Sequence, residues 1–152
     1  MFTAENAITI DRPVAEVFAY ATDPIKLSEW RPSVIEVIGY QPPMHAGTSY
    51  ELAEKMMGRQ QFGQQVTAYE PDRLVVIETT SGSVRPIQRY DFEPAPGGGT
   101  RFITHLEIRT YGVMRIFEPL MRGRVRKTMV IYGENLKRNI ESMPRSDGAA
   151  AP

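Results

Sequence analysis

The chain has 152 residues, no cysteine, and 18 Lys and Arg against 18 Asp and Glu, so its formal net charge is zero. A chain of this length forms about one domain and can bury roughly 70% of the surface that its unfolded state exposes. The lack of cysteine excludes disulfides, iron–sulfur clusters and thiol catalysis, and the balanced charge gives no electrostatic reason to expect a nucleic-acid partner.

The two ends of the chain predict its organisation and location. Residues 1–10 lack the basic and apolar regions of a secretory signal, and no apolar run approaches the roughly 20 residues that cross a bilayer. We therefore predict a cytoplasmic protein that can contact a membrane but is not an integral membrane protein. We expect it to be a monomer or a homodimer. Residues 144–152 have too little hydrophobicity to offset the entropy of ordering and are predicted to form a disordered tail after a single domain at 1–143.

The first thirty residues predict a strand followed by two short helices. Residues 2–10 alternate weakly between apolar and polar side chains, as in a half-buried strand. Asp11 and Pro13 then resemble a helix start, with an N-capping acid and a proline in the first turn. A second Asp-Pro pair predicts another short helix from Pro24, which delivers Trp30, the single tryptophan, into the next loop.

A run of strands follows. β-Branched and aromatic residues alternate with polar ones between Gly-, Pro- and Asp-containing turns. Strands are predicted over residues 34–40, 49–57, 60–70, 73–80, 84–93 and 100–110. Because the connections are short, the strands should form an antiparallel meander.

The longest predicted helix comes last. Apolar residues recur at steps of three and four from Gly112 to Met143, the period of one helix face. Pro119 interrupts this pattern, so it either kinks the helix or delays its start to Glu118, leaving residues 111–117 as a loop or a separate short helix. Helices segregated from strands in this order favour an α+β domain.

Several short motifs resemble one superfamily. They are Asp-Arg-Pro-Val-Ala-Glu-Val-Phe at 11–18, Trp30, and the stretches at 69–74, 80–82, 90–94 and 97–101, followed by the terminal helix. Together they are similar to the START-like (SRPBCC) superfamily, and most to its polyketide cyclase/dehydrase-like branch. The resemblance implies a helix-grip fold: a strongly curved seven-stranded antiparallel sheet, in order 1-7-6-5-4-3-2, around a long C-terminal helix, with two short helices between strands 1 and 2. It also implies a hydrophobic cavity between sheet and helix that binds a small hydrophobic molecule such as a lipid or polyketide, and in some members cyclisation or dehydration.

Alternation along the strands predicts which side chains face that cavity. Residues 102, 104, 106 and 108 should face the helix, and the same counting turns Tyr90 and Phe92 inward. Gln64 is the one glutamine of its strand in register with apolar neighbours, and its amide can orient a ligand oxygen without burying a charge. The predicted ligand-binding residues are Trp30, Tyr50, Leu52, Glu54, Phe62, Gln64, Tyr90, Phe92, Phe102, Thr104, Phe117 and Met121.

No catalytic residue is assigned, but three are weak candidates: Glu54, Tyr90 and His105. Glu54 alternates with inward residues, and a buried acid needs a partner or a raised pKa, although a position near the strand end would let it reach water. His105 is expected to face solvent, and only the opposite register would bring it into the cavity.

Other signatures are missing or ambiguous. The sequence has no HExxH motif, no cysteine–histidine cluster and no phosphate-binding loop, so we expect no metal and no cofactor. Arg122, Arg124, Arg126 and Lys127 form a basic run that suits an anionic membrane or an acidic protein, or is simply a solvated helix face. The sequence thus leaves three hypotheses: a carrier of a hydrophobic molecule, a cyclase/dehydratase, and a protein-interaction module.

Overall fold

A computed structural model describes residues 1–144. The strands are β1 (Phe2–Ile10), β2 (Val34–Ile38), β3 (Ser49–Lys55), β4 (Arg59–Glu70), β5 (Leu74–Thr79), β6 (Val84–Ala95) and β7 (Gly99–Thr110). The helices are α1 (Val14–Ala21), α2 (Leu27–Trp30) and α3 (Glu118–Glu141), and short 3₁₀ helices occupy Pro24–Lys26, Pro96–Gly98 and Gly112–Phe117. All but the first residue of the predicted tail at 144–152 lies outside the described residues.

The seven strands form one antiparallel sheet in the order β1-β7-β6-β5-β4-β3-β2. This confirms the α+β helix-grip architecture that the resemblance implied. The register pairs Phe92 with Phe102 and Tyr90 with Thr104, which places all four on the inner face. His105 lies on the opposite, outer face between Glu5 and Asp91, as the alternation predicted.

The start of α1 differs from the prediction in one detail. Pro13 rather than Asp11 occupies the N-cap position, and Pro13 makes no side-chain capping hydrogen bond. Instead the backbone N–H of Asp11 donates to the carboxylate of Glu141 at 2.8 Å. The predicted cap at the second helix is present, because Asp23 accepts from the backbone N–H of Ile25 at 3.0 Å.

Pro119 delays the last helix rather than kinking it. The 3₁₀ helix Gly112–Phe117 ends where α3 begins, and Pro119 lies in the first turn of α3, where its missing N–H costs no hydrogen bond. With 24 residues, α3 is about 36 Å long.

The C-terminal half of α3 packs on β1. Gly133 makes this close approach possible: a Cβ there would lie 3.1 Å from Nδ2 of Asn6 and 3.5 Å from Cδ1 of Ile8. Leu136 and Ile140 are buried one and two turns later. Because their side chains fill the interface, this part of the helix leaves little free space beneath it.

An aromatic cluster fills the space between α1 and the sheet. Phe18 packs edge-on against Phe92 with ring centroids 4.9 Å apart, and Phe102 lies 5.2 Å from Phe92 and 5.4 Å from Tyr90. Trp30 packs edge-on against Tyr90 from α2. The cluster joins the short helices to β6 and β7. Among residues 1–144, no helix has the length and apolar character needed to span a bilayer.

Candidate functional site

A small cavity lies between the inner face of β3–β6 and the segment that connects α1 to α2. Its volume is about 10 Å³, which is room for about one water molecule. The lining residues are Ala21, Thr22, Asp23, Pro24, Leu27, Arg31, Tyr50, Leu52, Gln64, Ile77, Gln88 and Tyr90. None of them belongs to α3. The cavity therefore differs from the expected one between sheet and C-terminal helix, since its wall on the helical side comes from α1, α2 and the segment between them.

Arg31 is the principal charged group of the cavity lining. One terminal nitrogen, Nη2, donates to Oε1 of Glu54 at 2.8 Å, and both side chains are nearly buried. The Oγ of Ser33 lies 3.4 Å from the same carboxylate oxygen and 2.9 Å from the hydroxyl of Tyr132 in α3. The guanidinium also lies over the Tyr132 ring at 5.6 Å. Glu54, which is not among the lining residues, thus holds the Arg31 side chain in place.

The polar groups around Arg31 are incompletely paired. Its Nη1 is 3.5 Å from Oε1 of Gln88, a long contact, while that oxygen accepts a 2.6 Å hydrogen bond from the Tyr90 hydroxyl. Among the described residues, Arg31 Nε and Trp30 Nε1 are buried donors without a hydrogen-bond partner. Buried donors are rarely left unpaired, because each loses its bonds to water on burial. Two donors beside an apolar cluster are therefore suited to an oxygen acceptor.

The protonation states follow from burial. Burial alone would lower the pKa of Arg31, but the neighbouring oxygens of Tyr90 and Glu54 outweigh it, so its pKa lies above the usual value and the group stays cationic. Burial also raises the pKa of Tyr90 and of Tyr50. Both hydroxyls therefore keep their protons at neutral pH, so neither acts as a base, and the Tyr90 hydroxyl donates to Gln88.

A larger open groove adjoins the cavity. It has a volume of about 530 Å³ and is lined by Ile38, Gly39, Ser49, Tyr50, Glu51, Gly63, Gln64, Gln65 and Thr80. Tyr50 and Gln64 line both spaces. The amide of Gln64 donates to Oγ1 of Thr79 at 3.1 Å. These two side chains therefore form part of the wall of both the open groove and the smaller cavity.

The structure brings part of the predicted ligand-binding set together. Tyr50, Leu52, Gln64 and Tyr90 line the cavity. Trp30, Phe92 and Phe102 contact the ring of Tyr90 or belong to the aromatic cluster next to it, and Glu54 reaches the cavity through Arg31.

The remaining predicted residues lie elsewhere. Phe62 and Thr104 are partly buried and do not line the cavity. Phe117 is half exposed at the end of the last 3₁₀ helix, and Met121 lies in the first turn of α3. His105 is on the outer face of the sheet. That any of these residues binds a ligand or transfers a proton stays a prediction. Among residues 1–144, no group of three His, Asp or Glu side chains is placed to hold a metal ion.

Residues 1–141 match the family described as polyketide cyclase/dehydrase and lipid transport. The chain belongs to this family. No curated protein matches the sequence significantly.

Solved structures show the same fold as this cyclase/dehydrase family chain. The Zhui aromatase/cyclase from Streptomyces sp. R1128 superposes with a TM-score of 0.80 at 12% identity, covering 97% of this chain and 98% of that one. A START superfamily protein from Mycobacterium smegmatis gives 0.78 at 12% identity, covering 93% and 99%. A protein from Thermus thermophilus gives 0.73 at 16% identity, covering 99% and 100%. At these identities the likeness establishes the fold alone.

Sequence reasoning missed Arg31 and Gln88. The available signal was Glu54: an inward carboxylate requires a buried cationic or hydrogen-bonding partner. Arg31 directly follows Trp30, in the loop that the second short helix was predicted to enter. Gln88 gave a similar signal, since it shares the alternation of Tyr90 and Phe92.

Proposed function

We propose that this member of the cyclase/dehydrase family binds a small, mainly apolar molecule that carries a hydroxyl, carbonyl or carboxylate oxygen. The observation that carries the proposal is Arg31, a nearly buried cation in the cavity lining with an unpaired Nε. An oxygen that accepts from Nε would satisfy this donor, and the aromatic cluster would cover the apolar part of the molecule. Small-molecule sites typically combine an apolar wall with a few such polar groups.

Ligand uptake requires the cavity to widen, because its volume of about 10 Å³ holds about one water molecule. The route we infer is from the open groove past Tyr50 and Gln64, the two residues that line both spaces. Turning these side chains aside would join the cavity to a space of about 530 Å³. Affinity is then reduced by the free energy of opening, so the ligand must bury enough apolar surface to offset it.

A matched pair of probes tests the oxygen requirement. 2-Naphthol and 2-methylnaphthalene have similar shapes, but only the first can accept a hydrogen bond through oxygen. Calorimetry should give an affinity for 2-naphthol about tenfold or more above that for 2-methylnaphthalene, as expected for one hydrogen bond to a charged group. The indole N–H resonance of Trp30, the single tryptophan, should shift on binding because Trp30 packs against Tyr90.

Arg31→Lys is the decisive variant, since it keeps the charge beside Glu54 but removes Nε and the planar fork. It should abolish the preference for 2-naphthol. Arg89→Lys is the matched control, because Arg89 pairs with Asp91 through bonds of 2.8 and 3.0 Å on the outer face and should keep the preference. Equal affinities for both probes, or an unmoved Trp30 resonance, would refute the proposal.

Cyclase/dehydratase activity is the second candidate, favoured by the family description and by the fold shared with the Zhui aromatase/cyclase. In that case the Tyr90 hydroxyl and Arg31 would polarise a carbonyl of a bound polyketone. The raised pKa values of Tyr90 and Tyr50 and the ion pair that Glu54 makes with Arg31 favour binding over proton abstraction. Incubation with a linear poly-β-ketone thioester distinguishes the enzyme from a binding protein. Turnover that falls in Tyr90→Phe but is unchanged in Tyr20→Phe would support cyclase/dehydratase activity. The hydroxyl of Tyr20 bonds Glu29 outside the cavity lining.

A further inference from the structure

Exposed apolar side chains concentrate just before and inside the first turn of α3. Tyr111, Val113, Ile116, Phe117 and Leu120 are all exposed, with Ile116 at 74% and Leu120 at 67%. We call residues 111–120 the apolar segment. Large apolar side chains this exposed and this close together in sequence mark an interaction surface more often than a solvated one.

A basic stripe continues the apolar segment along α3. This basic stripe consists of four exposed side chains at steps of four, three and four residues: Leu120, Arg124, Lys127 and Ile131. Because of this spacing, they share one face of the helix. The face opposite them carries Met129, Leu136 and Ile140, which pack into the molecule. The outer face of α3 therefore combines apolar and basic side chains, where a purely solvated face would be polar.

The exposed charged side chains of residues 111–131 are all basic. Residues 111–131 contain five basic side chains, Arg115, Arg122, Arg124, Arg126 and Lys127, and one acidic side chain, Glu118. Glu118 is buried and accepts a 2.7 Å hydrogen bond from the hydroxyl of Thr110, so it does not face outward with the basic groups. The outward charge of the stretch is thus entirely positive.

We propose that the apolar segment and the basic stripe dock on an anionic lipid bilayer. Interfacial helices lie in the membrane plane with apolar side chains among the acyl chains and Lys and Arg at the headgroups. Arginine and lysine stems reach from an apolar level to the headgroup phosphates, which suits their mixture with Leu120 and Ile131. A second copy of the chain fits this surface less well, since a two-fold contact would oppose the same basic side chains from both copies.

Vesicle flotation tests the proposal on the full chain. The protein should float with vesicles of phosphatidylglycerol and phosphatidylcholine and remain free with phosphatidylcholine alone, and raising the salt concentration should weaken the binding. Equal binding to both vesicle types, or none to either, would overturn the proposal.

Two double variants assign the binding to its two components. Ile116→Glu with Leu120→Glu, and separately Arg124→Glu with Lys127→Glu, should each lower the partition coefficient about tenfold or more. Because all four side chains are exposed, both variants should fold, which circular dichroism checks.

Matched controls have the same changes elsewhere on the surface. Ile25→Glu with Ile35→Glu, and Lys55→Glu with Arg59→Glu, replace exposed residues outside the docking surface and should retain binding. The docking variants should also keep the 2-naphthol affinity, which separates this proposal from the ligand site. Membrane docking would be contradicted if the control variants lost vesicle binding to the same extent as the docking variants. It would also be contradicted if the wild-type protein self-associated through Ile116 and Leu120 but did not bind vesicles.

Discussion

Arg31 and Glu54 are 23 positions apart in sequence and form an ion pair of 2.8 Å with side chains that are only 11% and 12% exposed. Removing two charges from water is costly, so such a pair contributes little net stability compared with a well-packed apolar pair. Removing only one partner is different, because the other charge stays buried without compensation. The ion pair therefore adds little to the stability of the fold, and a role in ligand binding would explain its presence in the core.

This asymmetry gives a prediction at the residue scale. Arg31→Met should lower the free energy of unfolding by about 3 kcal/mol, because Glu54 loses its counter-charge. Adding Glu54→Leu should recover most of the loss, since no buried charge then remains. Urea denaturation of the two single variants and the double variant measures the cycle. If the losses of unfolding free energy in the two single variants simply add in the double variant, the prediction is wrong. The two side chains would then not depend on each other for charge compensation.

The two halves of α3 illustrate what its sequence pattern could not decide. Helical periodicity extends through the whole stretch, yet the first turns present Leu120 and Arg124 to solvent, whereas Leu136 and Ile140 are buried. The pattern identifies a helix face but not the extent of the surface that covers it. That extent depends on β1, which packs against α3 near Gly133.

Stability should therefore be unequal along α3. Leu136→Ala should cost about 2–5 kcal/mol by leaving a cavity in the core, whereas Ile131→Ala, on the exposed face, should stay within about 0.5 kcal/mol of wild type. Thermal denaturation measures both variants. Amide hydrogen exchange gives an independent check, with faster exchange expected for residues 120–127 than for 133–140. Uniform protection along the helix would contradict this interpretation.

At the scale of the whole molecule, the end of α3 is tied to the turn after β1. Glu141 accepts from Lys137 Nζ and from the Asp11 backbone N–H, both at 2.8 Å, while Arg12 donates to the backbone oxygens of Glu141 and Met143. The bonds from Asp11 and Arg12 join segments separated by about 130 positions in the sequence. They hold α3 across the edge strand and so contribute to closing the fold.

This contact predicts part of the acid sensitivity. Partial burial alone would raise the pKa of Glu141, but the bonds from Lys137 and Asp11 lower it more, so the folded pKa lies below its ordinary value of 4.5. A lowered pKa contributes stability above pH 4.5 that is lost as the pH falls through the folded pKa. Glu141→Gln should therefore cost about 1 kcal/mol at pH 7 and progressively less in acid.

Urea denaturation from pH 7 into acid measures how the free energy of unfolding of Glu141→Gln differs from that of wild type. Glu134→Gln, on the exposed side of the same helix, is the matched control and should change little at any pH. A Glu141→Gln penalty that persists unchanged in strong acid would show that the carboxylate charge does not contribute.

The secondary-structure elements and their order follow from local sequence patterns. Alternation and helical periods depend on neighbours a few positions away, so the seven strands, the short helices and the inward direction of Tyr90 and Phe92 could be predicted. The resemblance supplied the strand order, and both agree with the structure.

The packing of distant segments established which of these residues are in contact. It gave Glu54 its partner Arg31, placed the cavity against the α1–α2 segment with a volume of about 10 Å³, and left Phe117 exposed. These features depend on distances between segments that are far apart in the chain, such as the approach of α3 to β1 at Gly133. Periodicity specifies the face of an element, whereas the space between two elements depends on how all their side chains pack together.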